Sequence, residues 1–448
     1  MLDLNTVKKL SKNVVNKVAD KASEAGTKVG SRRSRGSNDD QYIVGLDIGT
    51  EFVKALVGKV TADGVEIIGV GRQHQALSDM QAGAIADIGR VVQNCDTALA
   101  QAEEQAGVSA RAAVIGIAGE LVKGMTTTVR VKRKDPEKAL DLPEVERIIK
   151  LVQERAAQKA KQQMVWELGG KDVDVRLVNS ALVGIEIDGY KVTSPVGFQG
   201  RDVVVQLYTA FAPLIHIGAL ERTAQQLDLD LLAVAAEPFA VSRSVIGDDT
   251  SASMSAILMD IGGGTTDIAV VNEGGVQGTK MFGIGGRAFT RSIERTLGVE
   301  FDEAEELKLD VTSGRLSQRE EAATLGALQK TLDVWVSGVE LALGEFDKLD
   351  HLPHRVLLCG GGSSLESLMD KLEQSDWYRQ LPFTRRPIVQ HIHPDQVVGI
   401  VDKTGNVNDH TFITAMGLLR VGLDTMQFSG TGSQPTSFRD KIDRMLRV

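Results

Sequence analysis

Apolar and polar positions first settle into a strand rhythm at Tyr42-Ile43-Val44-Gly45-Leu46, which passes through a glycine turn into a second apolar run at Phe52–Val60 and a third at Gly64–Gly71. Three such runs separated by turn residues predict a β-meander opening a domain. Ala84–Gln105 has helical spacing and Ala112–Ala118 reads as another strand, so strands mixed with helices predict an α/β domain. Residues 121–212 break this rhythm. A Pro-bounded helix, Pro143–Lys161, sets Val145, Ile148, Ile149 and Val152 on one stripe, and short strands follow near Val173–Val178, Gly184–Tyr190 and Asp202–Phe211. This predicts a small inserted α+β subdomain. The helix Ile215–Leu227 and the strand Leu231–Ala236 come next, and the meander then returns as Ser255–Asp260, Asp267–Asn272 and Gly275–Phe282. Further on, Leu325, Leu328, Leu332, Trp335, Val339 and Leu343 form the stripe of an ordinary core helix.

Two meanders, each carrying Asp-Ile-Gly, indicate duplicated halves. The divisions this predicts are a tail over 1–40, a first half over 41–120, the inserted subdomain over 121–212 and a return to the first half over 213–250. A second half over 251–400, closing helices over 401–427 and a linker with a terminal helix over 428–448 complete the chain.

Composition narrows the class. At 448 residues, with 42% hydrophobic and 25% charged residues, the chain can bury more than one sizeable core. The cysteines Cys95 and Cys359 lack metal or disulfide spacing and fit a reducing cytoplasm. No run approaches the ~20 apolar residues of a membrane span. The net charge of -9 hides a basic tail, because residues 1–40 hold nine cations against five anions. The acidic body argues against nucleic acid as a partner. Within the tail, Leu4, Val7, Leu10, Val14 and Val18 recur at helical spacing, which fits either a short amphipathic helix or a solvated extension.

Each meander ends a strand with Asp before small residues: Asp47-Ile48-Gly49-Thr50, and Asp260-Ile261-Gly262-Gly263-Gly264-Thr265-Thr266-Asp267. Glycine admits phosphate oxygens close to backbone N–H groups, threonine adds a hydroxyl, and Asp can hold the water shell of Mg²⁺. A third cluster, Gly360-Gly361-Gly362-Ser363, follows a late apolar strand. Together the three point to a nucleotide held between two halves. The seven histidines, including His351, His354, His391 and His393, read as structural or surface residues, because no acidic or cysteine partner stands at ligand spacing.

With these motifs the chain resembles the ATPase fold shared by actin, heat-shock chaperones and sugar kinases, a duplicated ribonuclease H-like α/β fold. Within it the sequence is most similar to the FtsA cell-division family, with the PilM type IV pilus family second. The likeness is carried by Ile261–Val271, Ile284-Gly285-Gly286-Arg287, Glu303–Lys308, Ala236-Glu237-Pro238 and Thr193–Gly200, within a span of about 42 to 425. The resemblance implies ATP and Mg²⁺ as ligands. Asp47 and Asp260 would approach the metal through water, Gly49, Thr50, Gly262, Gly263, Gly264, Thr265, Thr266 and Asp267 would surround the phosphates, and Gly285 and Gly286 would support them. Glu305 and Lys308 would reach the ribose and adenine, although their spacing also suits a solvated ion pair. Gly360, Gly361, Gly362 and Ser363 would hold the adenosine. Glu237 would orient or deprotonate the attacking water, or else be a carboxylate at a helix start, and any ATPase activity would be slow. Two positions depart from the FtsA pattern. Glu51 places a negative charge beside the first phosphate turn, where it opposes phosphate unless it points outward, and Lys54 follows PilM.

The carboxyl end sets Phe438, Ile442, Met445 and Leu446 on one face and Arg439, Lys441, Arg444 and Arg447 around the other. This is the pattern of an interfacial membrane helix or of a helix docked on its own body. The FtsA resemblance implies a protein that polymerises on the inner membrane face at the division site and tethers the tubulin-like protein FtsZ. A PilM-like pilus adaptor is the alternative. A small-molecule kinase is a third reading, disfavoured because neither the subdomain nor a basic terminal helix builds a sugar pocket.

Overall fold

The structure, a computed structural model, describes residues 41–246, 254–429 and Ile442. The predicted amino-terminal helix, and the terminal-helix residues Phe438, Arg439, Lys441, Arg444, Met445, Leu446 and Arg447, lie outside the described residues.

Strands β1 (Tyr42–Ile48), β2 (Phe52–Thr61) and β3 (Gly64–His74) form the first meander, followed by a short hairpin of β4 (Met80–Gln81) and β5 (Ala84–Ile85). The hairpin takes the start of the predicted helix, because Ala82 and Gly83 turn at φ 48° and 79°. Helix α1 therefore begins at Ile88 and runs to Ala106, capped by the Asp87 carboxylate and stopped by Gly107 in the left-handed region. Next come β6 (Ala112–Ile117), β7 (Lys123–Lys132), α2 (Leu142–Glu167), β8 (Val175–Ile187), β9 (Tyr190–Lys191) and β10 (Asp202–Pro213). Helix α2 starts where expected, with Asp141 accepting from the Glu144 N–H and Pro143 in the first turn. It continues past Lys161 because Ala156, Ala160 and Met164 extend its buried stripe. The two short strands expected over 173–190 are instead the long β8 and the two-residue β9.

The chain returns through α3 (Leu214–Gln226), β11 (Asp230–Ala236) and α4 (Glu237–Ile246). The second meander is β12 (Ala256–Ile261), β13 (Thr266–Asn272) and β14 (Gly275–Phe282). Helices α5 (Gly286–Leu297), α6 (Phe301–Thr312) and α7 (Gln318–Gly344), strand β15 (Arg355–Cys359), α8 (Glu366–Gln374), β16 (Ile388–His391), β17 (Ile400–Asp402) and α9 (Ile413–Ser429) complete it.

Sheet order makes the duplication explicit. One sheet runs β11-β6-β1-β2-β3-β17 and the other runs β16-β15-β12-β13-β14 before continuing into β7-β10-β8-β9. The first five strands of the two orders correspond one to one. In both, the Asp-bearing strand is central, antiparallel to the next strand and parallel to a later one, β1 to β6 and β12 to β15. Six of the seven residues of β1 and all of β12 are buried. Such continuous apolar runs mark strands covered on both faces, with roughly 1.5–3 kcal/mol for each large side chain fully withdrawn from water.

The subdomain sheet joins the second-half sheet through one ladder pair, Gly278 with Met125. Its core gathers Val129, Leu140, Val145, Ile148, Ile149, Val152 and Leu207, and Ile442 is fully buried among them. The residue expected on the membrane face of the terminal helix is thus packed on the subdomain, where its branched side chain joins an apolar cluster.

Candidate functional site

The two Asp-bearing strands end on a shared cleft of about 380 Å³, lined by Asp47, Gly49, Thr50, Glu237, Asp260, Gly262, Gly263, Thr265, Asp267, Gly286, Glu305, Lys308 and Gly360–Gly362, among others. A larger cavity of about 800 Å³ lies between the subdomain and the second half, but it collects neither glycine turn. Cleft chemistry, not volume, marks the smaller one as the site.

Its floor is built by register. Asp47 on β1 stands opposite Lys54 on β2, and in the second half Asp260 on β12 stands opposite Asp267 on β13. The duplicated frame therefore holds Lys at one position and Asp at its counterpart. Glu237 opens α4 directly after β11 and is buried beside them. Four carboxyl groups thus share a buried floor with one ammonium, Lys54, whose Nζ lies 3.1 Å from Asp47 Oδ2.

This imbalance has the expected electrostatic result. Burial, reinforced by Asp47, Asp267 and Asp260, pushes the Glu237 carboxyl well above the ordinary carboxylate range. Burial and Asp260 do the same to Asp267, and burial raises Asp260 although the Thr414 hydroxyl donates to it. Burial alone would lower the Lys54 ammonium, but the Asp47 and Asp260 charges outweigh it and hold it above its usual value. Asp267 Oδ1 has no hydrogen-bond partner although it is buried. A crowded, under-compensated set of oxygen donors with an orphaned carboxylate oxygen fits a hydrated divalent cation. Among the described residues no group of three or more donors is close enough to ligate a metal directly.

Each glycine turn has a physical reason. Gly360 sits at φ 82°, and a Cβ there would lie 2.1 Å from Asp260 Oδ1. A Cβ on Gly264 would meet Thr50 Oγ1 at 2.9 Å and one on Gly263 would meet the Glu51 Cβ at 2.9 Å, so the two phosphate turns touch through glycine. Gly285 backs the second turn: its own Cβ would strike Gly262 O at 2.6 Å, and the Gly286 N–H donates to Gly262 O at 2.9 Å.

Two predicted hydroxyls face elsewhere. Thr266 alternates away from Thr265 and Asp267, donates to Ile284 O at 2.7 Å and accepts from the Trp335 indole at 2.9 Å. Ser363 donates to Gly360 O at 2.7 Å, and its neighbour Ser364 lines the cleft with its hydroxyl 3.0 Å from His410 Nε2. Glu305 and Lys308 line the cleft but close on each other at 2.7 Å, and both bond the Thr290 hydroxyl. His410 stacks on His391 with centroids 4.0 Å apart, and burial with that neighbour lowers its imidazole to about 4. The sequence reading missed the structural roles of Trp335, Thr414 and His410, and the side chain of Arg287. For Trp335 a signal existed, since strict alternation along β13 sends Thr266 into the core.

Duplicated five-stranded sheets with two Asp-glycine turns meeting across a cleft define the actin-like ATPase fold. The PilM–PilN type IV pilus biogenesis complex has this fold, with a TM-score of 0.61 at 16% identity over 85% of this chain and 98% of that one. A family model described as cell division protein FtsA matches residues 257–417. The FtsA of Pseudomonas aeruginosa is 27% identical over 436 residues, covering 91% of this chain and 96% of that protein. The FtsA of Bacillus subtilis is 27% identical over 274 residues, 60% of this chain and 58% of that one. The chain is thus similar to FtsA, as its motifs indicated.

Proposed function

We propose that this chain is an ATP-binding, actin-like cell-division protein that polymerises at the inner membrane face and tethers FtsZ. The observation that supports the nucleotide reading is the floor of four buried carboxyl groups with one lysine between two glycine turns. Bound Mg-ATP would supply the phosphoanhydride and the metal charge. Asp47, Asp260 and Asp267 would hold the hydrated ion, the Gly49–Thr50 and Gly262–Thr265 turns would receive the phosphates, and Lys54 would balance charge on the first-half side. Glu237 would orient the attacking water, and any turnover would be slow.

Calorimetry tests the first step. Affinity for Mg-ATP in the micromolar to millimolar range is expected, and no heat at millimolar ATP would remove the reading. Glu237→Ala should slow turnover by at least about tenfold with binding largely kept. Unchanged turnover would make Glu237 a helix-end carboxylate.

The division role draws on the sequence relatives and on the terminal amphipathic pattern. The pilus-adaptor reading draws on Lys54 and on the fold of the PilM complex. A fluorescent fusion separates them, by its accumulation at the division site or at a pole.

A further inference from the structure

Glu51, the acidic residue beside the first phosphate turn, is engaged on both of its carboxylate oxygens. Its carboxylate accepts from Arg287 Nε at 2.7 Å and lies 2.7 Å from His74 Nε2. Arg287 stands in the first turn of α5, in the other half of the molecule. Its Nη2 donates to Thr50 O at 2.7 Å and reaches Gln75 O at 3.5 Å, while its Nη1 lies 3.5 Å from Leu77 O. All three guanidinium nitrogens therefore point at first-half acceptors, and the side chain is only 12% exposed. Meanwhile the Arg287 backbone N–H donates to Gly263 O at 2.7 Å. One residue thus grips the second phosphate turn by its main chain and the first by its side chain.

We propose that Arg287, seated on Glu51, is a positioning residue that sets the separation of the two phosphate turns and so the rate at which a bound nucleoside triphosphate leaves. This rests on the Mg-ATP reading above. The physics is that of a planar fork with several fixed donors: it holds the carbonyl and the carboxylate at a set spacing and angle, where the rotatable ammonium of a lysine fixes neither. Glu51 neutralises the guanidinium and keeps it from straying to phosphate. In return, Arg287 and the His74 hydrogen bond occupy the carboxylate that would otherwise repel the ligand. Gln75 secures the same side, donating to Gly49 O at 2.6 Å and taking Glu51 O with its own N–H at 2.9 Å.

Stopped-flow release of a fluorescent ATP analogue with Mg²⁺ tests this on the full chain. Arg287→Ala should raise the off-rate about tenfold, the loss expected for a charge-assisted pair, with little change in melting temperature. Arg287→Lys should recover part of that loss, and Glu51→Gln should fall between. Off-rates equal to wild type in all three, or changes that only follow the melting temperature, would overturn the proposal. A second measurement needs no nucleotide. Hydrogen exchange at Gly49–Phe52 and Gly262–Thr265 should quicken in the nucleotide-free Arg287→Ala protein, and unchanged exchange overturns the clamp. If wild type binds no Mg-ATP, the function reading fails, and the exchange result alone decides the clamp.

Discussion

Asp267 has one carboxylate oxygen held by the Thr265 hydroxyl at 3.1 Å and the other unpartnered, in a site where burial raises its proton affinity. The folded chain therefore binds this proton more tightly than the unfolded chain does. That stabilisation is complete below the ordinary aspartate value of 3.8 and is lost as pH climbs through the raised folded value. Asp267→Asn should make the nucleotide-free protein more stable near neutral pH by about 1–3 kcal/mol, with the gap closing toward about pH 4. Urea unfolding from about pH 4 to pH 8 checks it, and a gap that opens toward acid would contradict the assignment. At this scale the sequence disclosed what is local: an Asp at a strand end, then glycines, marks the floor and the turns. It could not disclose Glu51 with Arg287, which are 236 positions apart and meet only after the two halves close.

Among the elements, α1 packs on β3 more closely than side chains would allow. Gly69 and Gly71 share one face of β3, and a Cβ on Gly71 would lie 1.7 Å from Ala98 O. Backbone thus meets backbone, and the small Ala98 and Ala102 of α1 complete the fit. Gly71→Val should cost at least about 3 kcal/mol and lower the melting temperature clearly, because neither the helix nor the sheet can yield by a flexible side chain. A melting temperature equal to wild type would show that α1 can lift off. The meanders and most helices were legible because their apolar periods match their burial. The long β8 was not, because Asn179-Ser180-Ala181 reads as a polar break. In the fold Asn179 Oδ1 takes the Ala236 N–H at 2.7 Å, so a cross-element bond carries the strand through.

In the molecule as a whole, no described helix is long and apolar enough to cross a membrane. Ile442 is buried in the subdomain core, and insertion of its helix into lipid would need that side chain withdrawn. Anionic liposomes should sediment the full chain with an affinity that falls as salt rises, each terminal cation adding up to about 1 kcal/mol. Removing residues 428–448 should release most of the protein and removing 1–36 only part. Equal sedimentation without 428–448 would move the anchor to the basic tail.

The single ladder pair between β14 and β7 gives the sheet a seam. Beside it Thr126 donates to Val276 O at 2.6 Å, and Gly124 lies so near Thr279 that a Cβ would sit 2.0 Å from its hydroxyl. Few ladder bonds cross this line, and side chains tie the subdomain across it instead: Tyr208 and Ala210 of β10 share one core with Val276 and Ala269. β14 runs antiparallel to β13, whose first residue, Thr266, directly follows the second glycine turn. The subdomain and the second glycine turn are therefore joined through two neighbouring strands, so a change of register at the seam would be carried straight to the turn.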